Sequence, residues 1–294
     1  MMGSAEHAAI QFLKWQPLYE KEKPFQLFLD LPPDVADQRR TNLAFETRMV
    51  EVKNIRGHEK CFDLDENGFI YRTMDGFEDL KDKTEVTGQY LPAIEQLLRK
   101  EVEHADRIFI FDWRMRESNA EAQDGLLDVG NSMLPLRPAN FAHSDQGPCS
   151  VIRRVQAQFP QEAEALLRGR IRVLNVWKPL RNKVMDWPLA MCDGSSLQAS
   201  DLIETDTVRT SYVSTNLYSL HSPDTQNWMY LKEQEPNEVV IFKQFDSDPA
   251  VRSSLSLHAS FRHEELPEIF APRNSIEVRA IVFTNAVGEN VKIQ

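Results

Sequence analysis

The sequence predicts a mainly β (α+β) fold: a sandwich or jelly-roll (double-stranded β-helix) barrel, framed by helices and preceded by an N-terminal extension. Two observations carry that expectation. Short runs rich in β-branched and aromatic residues recur along the chain, the strongest being Arg107-Ile108-Phe109-Ile110-Phe111-Asp112-Trp113, Ile171–Trp177, Glu238–Lys243 and Ile276–Phe283. Helical periodicity, by contrast, is confined to two stretches. Many short strands with few helices fit a sandwich or barrel better than a wound α/β sheet. At 294 residues the length suits one large domain or two small ones. No internal repeat or low-complexity tract divides it, so one domain over 1–294 is expected.

In chain order, residues 1–45 mix an apolar run, Ala8–Leu13, with Pro17, Pro24, Pro32 and Pro33, and read as an arm with short strands or turns, not a separate domain. Residues 46–106 hold hairpins and a helix. Glu46–Val52 alternates as a strand does, and Cys61–Leu64 with Gly68–Tyr71 suggests a hairpin turning at Asn67-Gly68. Between Tyr90 and Ala105 the apolar residues Leu91, Ile94, Leu97, Leu98 and Val102 recur at helical spacing. Residues 107–285 form the expected core. Within it, 114–137 is polar and aperiodic, the expected lid over a substrate. Ser150 is placed as the cap of a helix over 151–169, broken near Pro160. Strands follow at 171–177, 187–194, 211–219, 227–232, 238–243 and 255–261. The last, 273–283, puts Arg273, Ser275, Glu277 and Arg279 on one face and Ile276, Val278 and Ala280 on the other.

Composition excludes several classes. A net charge of −11 and the absence of any run of five basic residues argue against a nucleic-acid surface. No stretch of 18 apolar residues predicts a membrane span, and no basic-then-apolar leader opens the chain. Three cysteines, Cys61, Cys149 and Cys192, lack the spacing of a disulfide or zinc framework, so a reducing, cytoplasmic setting is expected.

The chemistry points to His143-Ser144-Asp145. In extended backbone, side chains two apart face the same way and can share one ion. The pattern alone is cheap, since about one histidine-x-acid match is expected by chance, and His104-Ala105-Asp106 and His263-Glu264-Glu265 also fit it. His104 falls at a helix end, where the two side chains are roughly 200° apart; His263 reads as a solvated turn residue. A second histidine would complete the two-histidine, one-carboxylate triad that holds non-haem Fe(II) with open positions. His258 fits best, because Arg273-x-Ser275 follows it on the next strand. There a guanidinium fork can grip a carboxylate, with a hydroxyl beside it. His221 is the competitor.

Several segments together resemble one family. Phe62–Phe69, Asn175-Val176-Trp177-Lys178-Pro179-Leu180, Trp187–Asp193, His258-Ala259-Ser260-Phe261 and Arg273–Arg279 look like the Fe(II)/2-oxoglutarate-dependent oxygenases. The group meant is the one that includes gibberellin desaturases, cephamycin methoxylation proteins and fungal meroterpenoid endoperoxidases. The resemblance spans roughly 40–285. It implies that His143, Asp145 and His258 ligate Fe(II), that Arg273, with Ser275, holds 2-oxoglutarate, and that Arg279 helps bind its other end. Asn175 and Trp177 would border the substrate. The family pattern is broken at Ser144 and Gln146-Gly147, which implies an altered pocket without loss of a ligand. The implied activity consumes O₂ and 2-oxoglutarate to cleave a C–H bond of a small hydrophobic natural product, ending in hydroxylation, desaturation or endoperoxidation. The alternatives are a non-catalytic jelly-roll partner subunit of a heteromeric oxygenase and a cupin-like iron enzyme that does not use 2-oxoglutarate. Assembly as a homodimer or heterodimer is the base-rate expectation.

Overall fold

The computed structural model describes residues 5–121, 131–210 and 212–284. Fourteen strands are present among them: β1 (Ala5–Leu13), β2 (Phe25–Phe28), β3 (Phe45–Asn54), β4 (Phe69–Thr73), β5 (Arg107–Glu117), β6 (His143–Ser144), β7 (Arg170–Leu180), β8 (Leu189–Cys192), β9 (Leu202–Arg209), β10 (Val213–Ser219), β11 (Trp228–Tyr230), β12 (Glu238–Asp246), β13 (His258–Ser260) and β14 (Asn274–Thr284). A short α1 (Lys83–Glu85) continues through a π turn into α2 (Leu91–Glu101); α3 (Pro148–Gln158) and α4 (Ala163–Arg168) lie between β6 and β7. The fold is mainly β with few helices, as expected. No described helix is long and apolar enough to cross a membrane.

The strands form two sheets. Nine run in the order β1-β3-β11-β8-β13-β6-β10-β9-β2, and five in the order β4-β12-β7-β14-β5. The larger sheet curls back on itself. Gln11 N–H donates to the Asn140 carbonyl (3.0 Å) and Ala142 N–H to the Gln11 carbonyl (2.9 Å), tying β1 to the residues just before β6. Ala8, Ile10, Phe12, Ala142, Ala190, Trp228 and Ala259 fill the inside of that curl. β6, β8 and β13 are therefore buried on both faces, with small residues towards the curl and His143, Met191 and His258 towards the other sheet.

The smaller sheet is sandwiched. On its outer face Ile276, Val278, Ala280 and Val282 meet Ile94, Leu97 and Leu98 of α2. At one end of its inner face, Ile281 and Phe283 are covered by Val151, Val155 and Phe159 of α3 and its C-cap. The remainder of that face carries the polar side chains of β7 and β14.

Several expectations need correcting. The N-terminal arm carries strands, as expected, and is tied more tightly than its prolines suggest: β1 pairs with β3 along nine positions and its Ala8, Ile10 and Phe12 are fully buried. Cys61–Leu64 is not a strand: a 3₁₀ turn covers Glu59–Cys61, and β4 pairs with β12 instead. Gly68 is left-handed at φ +86°, so the turn chemistry was real without the hairpin. The helix cap is Gly147, with Pro148 at the first position, whereas the Ser150 hydroxyl bonds that of Thr215 (3.0 Å). Within the expected lid, Arg114–Glu117 extend β5, and 132–136 lie parallel to it, with Met115 N–H donating to the Ser132 carbonyl (3.1 Å) and Glu117 N–H to the Leu136 carbonyl (2.9 Å). Residues 122–130 lie outside the described residues. β13 and β14 belong to different sheets, so His258 and Arg273 face each other across the gap between the sheets and not along one hairpin.

Candidate metal centre

His143 and His258 are direct partners across the β6–β13 ladder. Directly opposed residues project to one face, and the two imidazoles lie 4.2 Å apart, centroid to centroid. Asp145, just past β6, brings Oδ1 to 3.6 Å from His143 Nε2. One ligand atom from each of His143, Asp145 and His258 falls within 4.8 Å of the others, and all three side chains are buried. Among the described residues no other group of three or more histidines, cysteines and acids converges in this way. His221 instead packs its ring on Phe12 at 4.8 Å. His263, expected in solvent, is largely buried and pairs with Glu6 at 2.6 Å.

The chemical state of this group suits a cation. His143 Nδ1 lies 2.7 Å from the Phe141 carbonyl, which places a proton there and turns Nε2 towards Asp145. Burial, reinforced by His143, holds His258 well below the usual imidazole range, so it is neutral. Its Nδ1 is buried without a partner among the described residues. Burial alone would raise the Asp145 carboxyl; Arg279, foremost, overcomes it and holds the group well below the usual carboxylate range. Two buried imidazoles and an ionised carboxylate make a donor set that fits a divalent first-row ion.

Arg273 enters from the far sheet. It is 1% exposed. Nη1 donates to the Trp187 carbonyl (2.6 Å) and to Ser260 Oγ (2.8 Å), while Nε and Nη2 have no partner among the described residues. Burial and the charge of Arg116 push its pKa down to about 9. Ser275 Oγ is also buried and unpartnered. A small cavity of about 10 Å³, room for about one water, lies between Arg273 and His258 and is bordered also by Arg116, Trp177, Ser260 and Glu277. A buried cation with spare donors at a cavity wall is a site for an anion.

Two expected residues behave differently. Arg279 does not reach that cavity: Nε donates to Asp145 Oδ2 (3.0 Å), Nη1 to Asp112 Oδ2 (2.6 Å) and Nη2 to Glu277 Oε2 (3.2 Å). Asn175 is fully buried and gives its amide to Asp145 and Glu277. Trp177 lies beneath the guanidinium of Arg273, 5.5 Å from its ring centre, on the anion side.

Sequence reasoning missed Gln244, whose Oε1 accepts from Asp145 N–H (2.6 Å) and Ser144 Oγ (2.9 Å). A glutamine in step with Val240 and Phe242 on a buried strand was the available signal. It also missed Asp186, which accepts from the Arg273 and Trp187 N–H groups. Tyr218 was missed too. It is His143's partner on β10 and forms, with Phe45 and Phe141, a partly exposed aromatic cluster beginning 6.2 Å from the His143 ring.

A mainly β fold with two histidines and a carboxylate converging in its interior is compatible with a mononuclear non-haem oxidoreductase, and the comparisons with known proteins give the class. A family profile described as "Oxidoreductase/YMDC permease-like domain" matches residues 10–283. The chain is 31% identical over 290 residues to the "Fe(II)/2-oxoglutarate-dependent dioxygenase nvfI" of Aspergillus novofumigatus, covering 96% of this chain and 99% of that protein. It is 29% identical to the "Hydroxylase/desaturase CTB9" of Cercospora beticola, covering 81% and 77%. A solved structure titled "iron and alpha-ketoglutarate-dependent endoperoxidase NvfI" superposes with a TM-score of 0.82 at 27% identity, over 96% of this chain and 98% of that one. The chain belongs to the Fe(II)/2-oxoglutarate-dependent dioxygenase family, enzymes that use Fe(II), 2-oxoglutarate and O₂.

Proposed function

We propose that His143, Asp145 and His258 hold the ferrous ion in a double-stranded β-helix core, that Arg273 with Ser275 binds the distal carboxylate of 2-oxoglutarate, and that the substrate is a small hydrophobic natural product. The observation that carries the reading is the convergence of two buried imidazoles and an ionised carboxylate beside a buried guanidinium with two nitrogens unpartnered among the described residues. The names of the relatives, dioxygenases and hydroxylase/desaturases of fungi, support a role in secondary metabolism.

When bound, the iron and its cosubstrate supply the oxidising chemistry: O₂-driven decarboxylation of 2-oxoglutarate to succinate, coupled to cleavage of a substrate C–H bond. The protein's own residues do the rest. Phe141's carbonyl keeps the His143 proton on Nδ1. Gln244 anchors the Asp145 main chain. Arg273 neutralises one end of a dicarboxylate from a dry wall where a charged contact is strong. Phe45, Phe141 and Tyr218 offer an apolar surface beside His143, where a hydrophobic substrate would lie and exclude water. The free cysteines suit a cytoplasmic setting.

Anaerobic addition of Fe(II) and 2-oxoglutarate should produce a weak visible charge-transfer band. Asp145→Ala should abolish it, and a band of undiminished strength in that variant would sink the assignment.

A further inference from the structure

We propose that Asn175 and Arg279 are positioning residues that fix Asp145 as a one-oxygen ligand of the metal. The inference rests on His143, Asp145 and His258 being the ligand set, and adds a role neither residue was expected to have.

The two oxygens of Asp145 face different surroundings. Oδ1 lies towards His143 Nε2, at 3.6 Å. Oδ2 points the other way and receives two donors, Asn175 Nδ2 at 2.8 Å and Arg279 Nε at 3.0 Å. A carboxylate oxygen offers two lone-pair sites, so both sites of Oδ2 are occupied and only Oδ1 is left for an ion. The donors are themselves held. The second hydrogen of Asn175 Nδ2 goes to Glu277 Oε1 (2.6 Å), and the two Nη atoms of Arg279 go to Asp112 and Glu277. Strand register explains the precision. Arg279 is the direct partner of Asn175 on β7 and of Asp112 on β5, so Asp112, Arg279 and Asn175 form one row across the smaller sheet. That row faces Asp145 across the gap between the sheets. Because side chains alternate, a one-residue slip of β14 would turn Arg279 away from Asp145.

A carboxylate restricted to one oxygen leaves an additional coordination position for cosubstrate and O₂. A carboxylate released from the clamp can swing and bind through both oxygens, or leave the ion altogether. Partners of this kind typically contribute tenfold to hundredfold in metal affinity.

The test is a Co(II) titration of the metal-free full-length protein, followed by visible absorption, in wild type, Asn175→Leu, Asn175→Ser and Arg279→Lys, with thermal melting of each metal-free form. Two Asn175 variants of different size guard against misfolding of either one. The expected result is Co(II) binding weakened roughly tenfold or more in the Asn175 variants, with melting of at least one of them close to wild type. Arg279→Lys keeps the charge but not the Nε geometry, and should fall between wild type and the Asn175 variants. Unchanged Co(II) affinity in folded variants would overturn the positioning role. Wild type failing to bind, or Asp145→Ala binding as tightly as wild type, would instead overturn the ligand assignment beneath it.

Discussion

Arg273 is the residue whose environment leaves the least freedom of interpretation. A guanidinium taken out of water needs compensation, yet the described residues give it only the Trp187 carbonyl and the Ser260 hydroxyl. Charged hydrogen bonds contribute about 1.5–3 kcal/mol each, and 1.4 kcal/mol is about tenfold in affinity. Replacing Arg273 by Ala should therefore weaken 2-oxoglutarate binding by on the order of 100-fold while leaving Co(II) affinity in the absence of 2-oxoglutarate at the wild-type value. Titration of the metal-loaded protein with 2-oxoglutarate reads this directly; a change below about threefold would remove Arg273 from the cosubstrate site. At this scale the sequence was informative for one reason. Side-chain direction along a strand follows from parity, so His143 with Asp145, and Arg273 with Ser275, could be placed together. Parity does not say what stands across the gap. Arg279 shares the face of Ser275, and only the opposing sheet decides that it meets Asp145 while Arg273 meets the cavity.

Among the elements, legibility followed length. β14 and β12 are nine residues or longer and buried, and both were plain in the sequence. β6 and β13, which carry the histidines, are two and three residues long, with no periodicity to read. β9, Leu202-Ile203-Glu204-Thr205-Asp206-Thr207-Val208-Arg209, went unseen because its acidic and threonine residues dilute the apolar pattern. The turn from β6 into α3 is where a small change should reach the metal. Gly147 donates its N–H to the Thr215 carbonyl at 2.7 Å, and a Cβ there would come within 2.4 Å of Thr215 Oγ1. Thr215 is itself buried, so it cannot swing into solvent. Gly147→Ala should destabilise the fold by about 1–3 kcal/mol, the usual cost of overpacking, and should weaken metal binding by displacing Asp145 two residues upstream. Pairing it with Thr215→Ala removes the obstructing hydroxyl and should restore most of both losses. Chemical denaturation and Co(II) titration of the single and double variants separate this account from a general loss of helix α3, which the second substitution would not repair.

For the molecule as a whole, the question is whether the first strand is an appendage or part of the frame that builds the site. An arm could be removed with little consequence. β1, however, closes the curl of the larger sheet and bonds through Gln11 to Asn140 and Ala142, the latter one residue before His143. It also buries Ile10, Phe12 and Leu13, each 1% exposed or less. Burial of such side chains contributes about 1.5–3 kcal/mol apiece, so the three together are comparable to the whole stability of a domain, about 5–15 kcal/mol. The sequence places short strands in this arm but not their pairing, because a single apolar run among prolines carries no sign of the residues 130 positions on that it bonds to. The expected outcome for a chain beginning at Lys14 is loss of both cooperative melting and Co(II) binding. Should that truncated chain still bind Co(II) with wild-type affinity, β1 would be dispensable and the site would have to be held by β8, β10 and β13 alone. Nothing in the β6 ladder supports that alternative, since its two residues have only single-residue pairing with β13 and two-residue pairing with β10. The bridge from Gln11 acts with the Ser219 N–H on the Ala142 carbonyl (3.0 Å) and the Ser260 N–H on the Ala139 carbonyl (2.7 Å) in setting the height of His143 against His258.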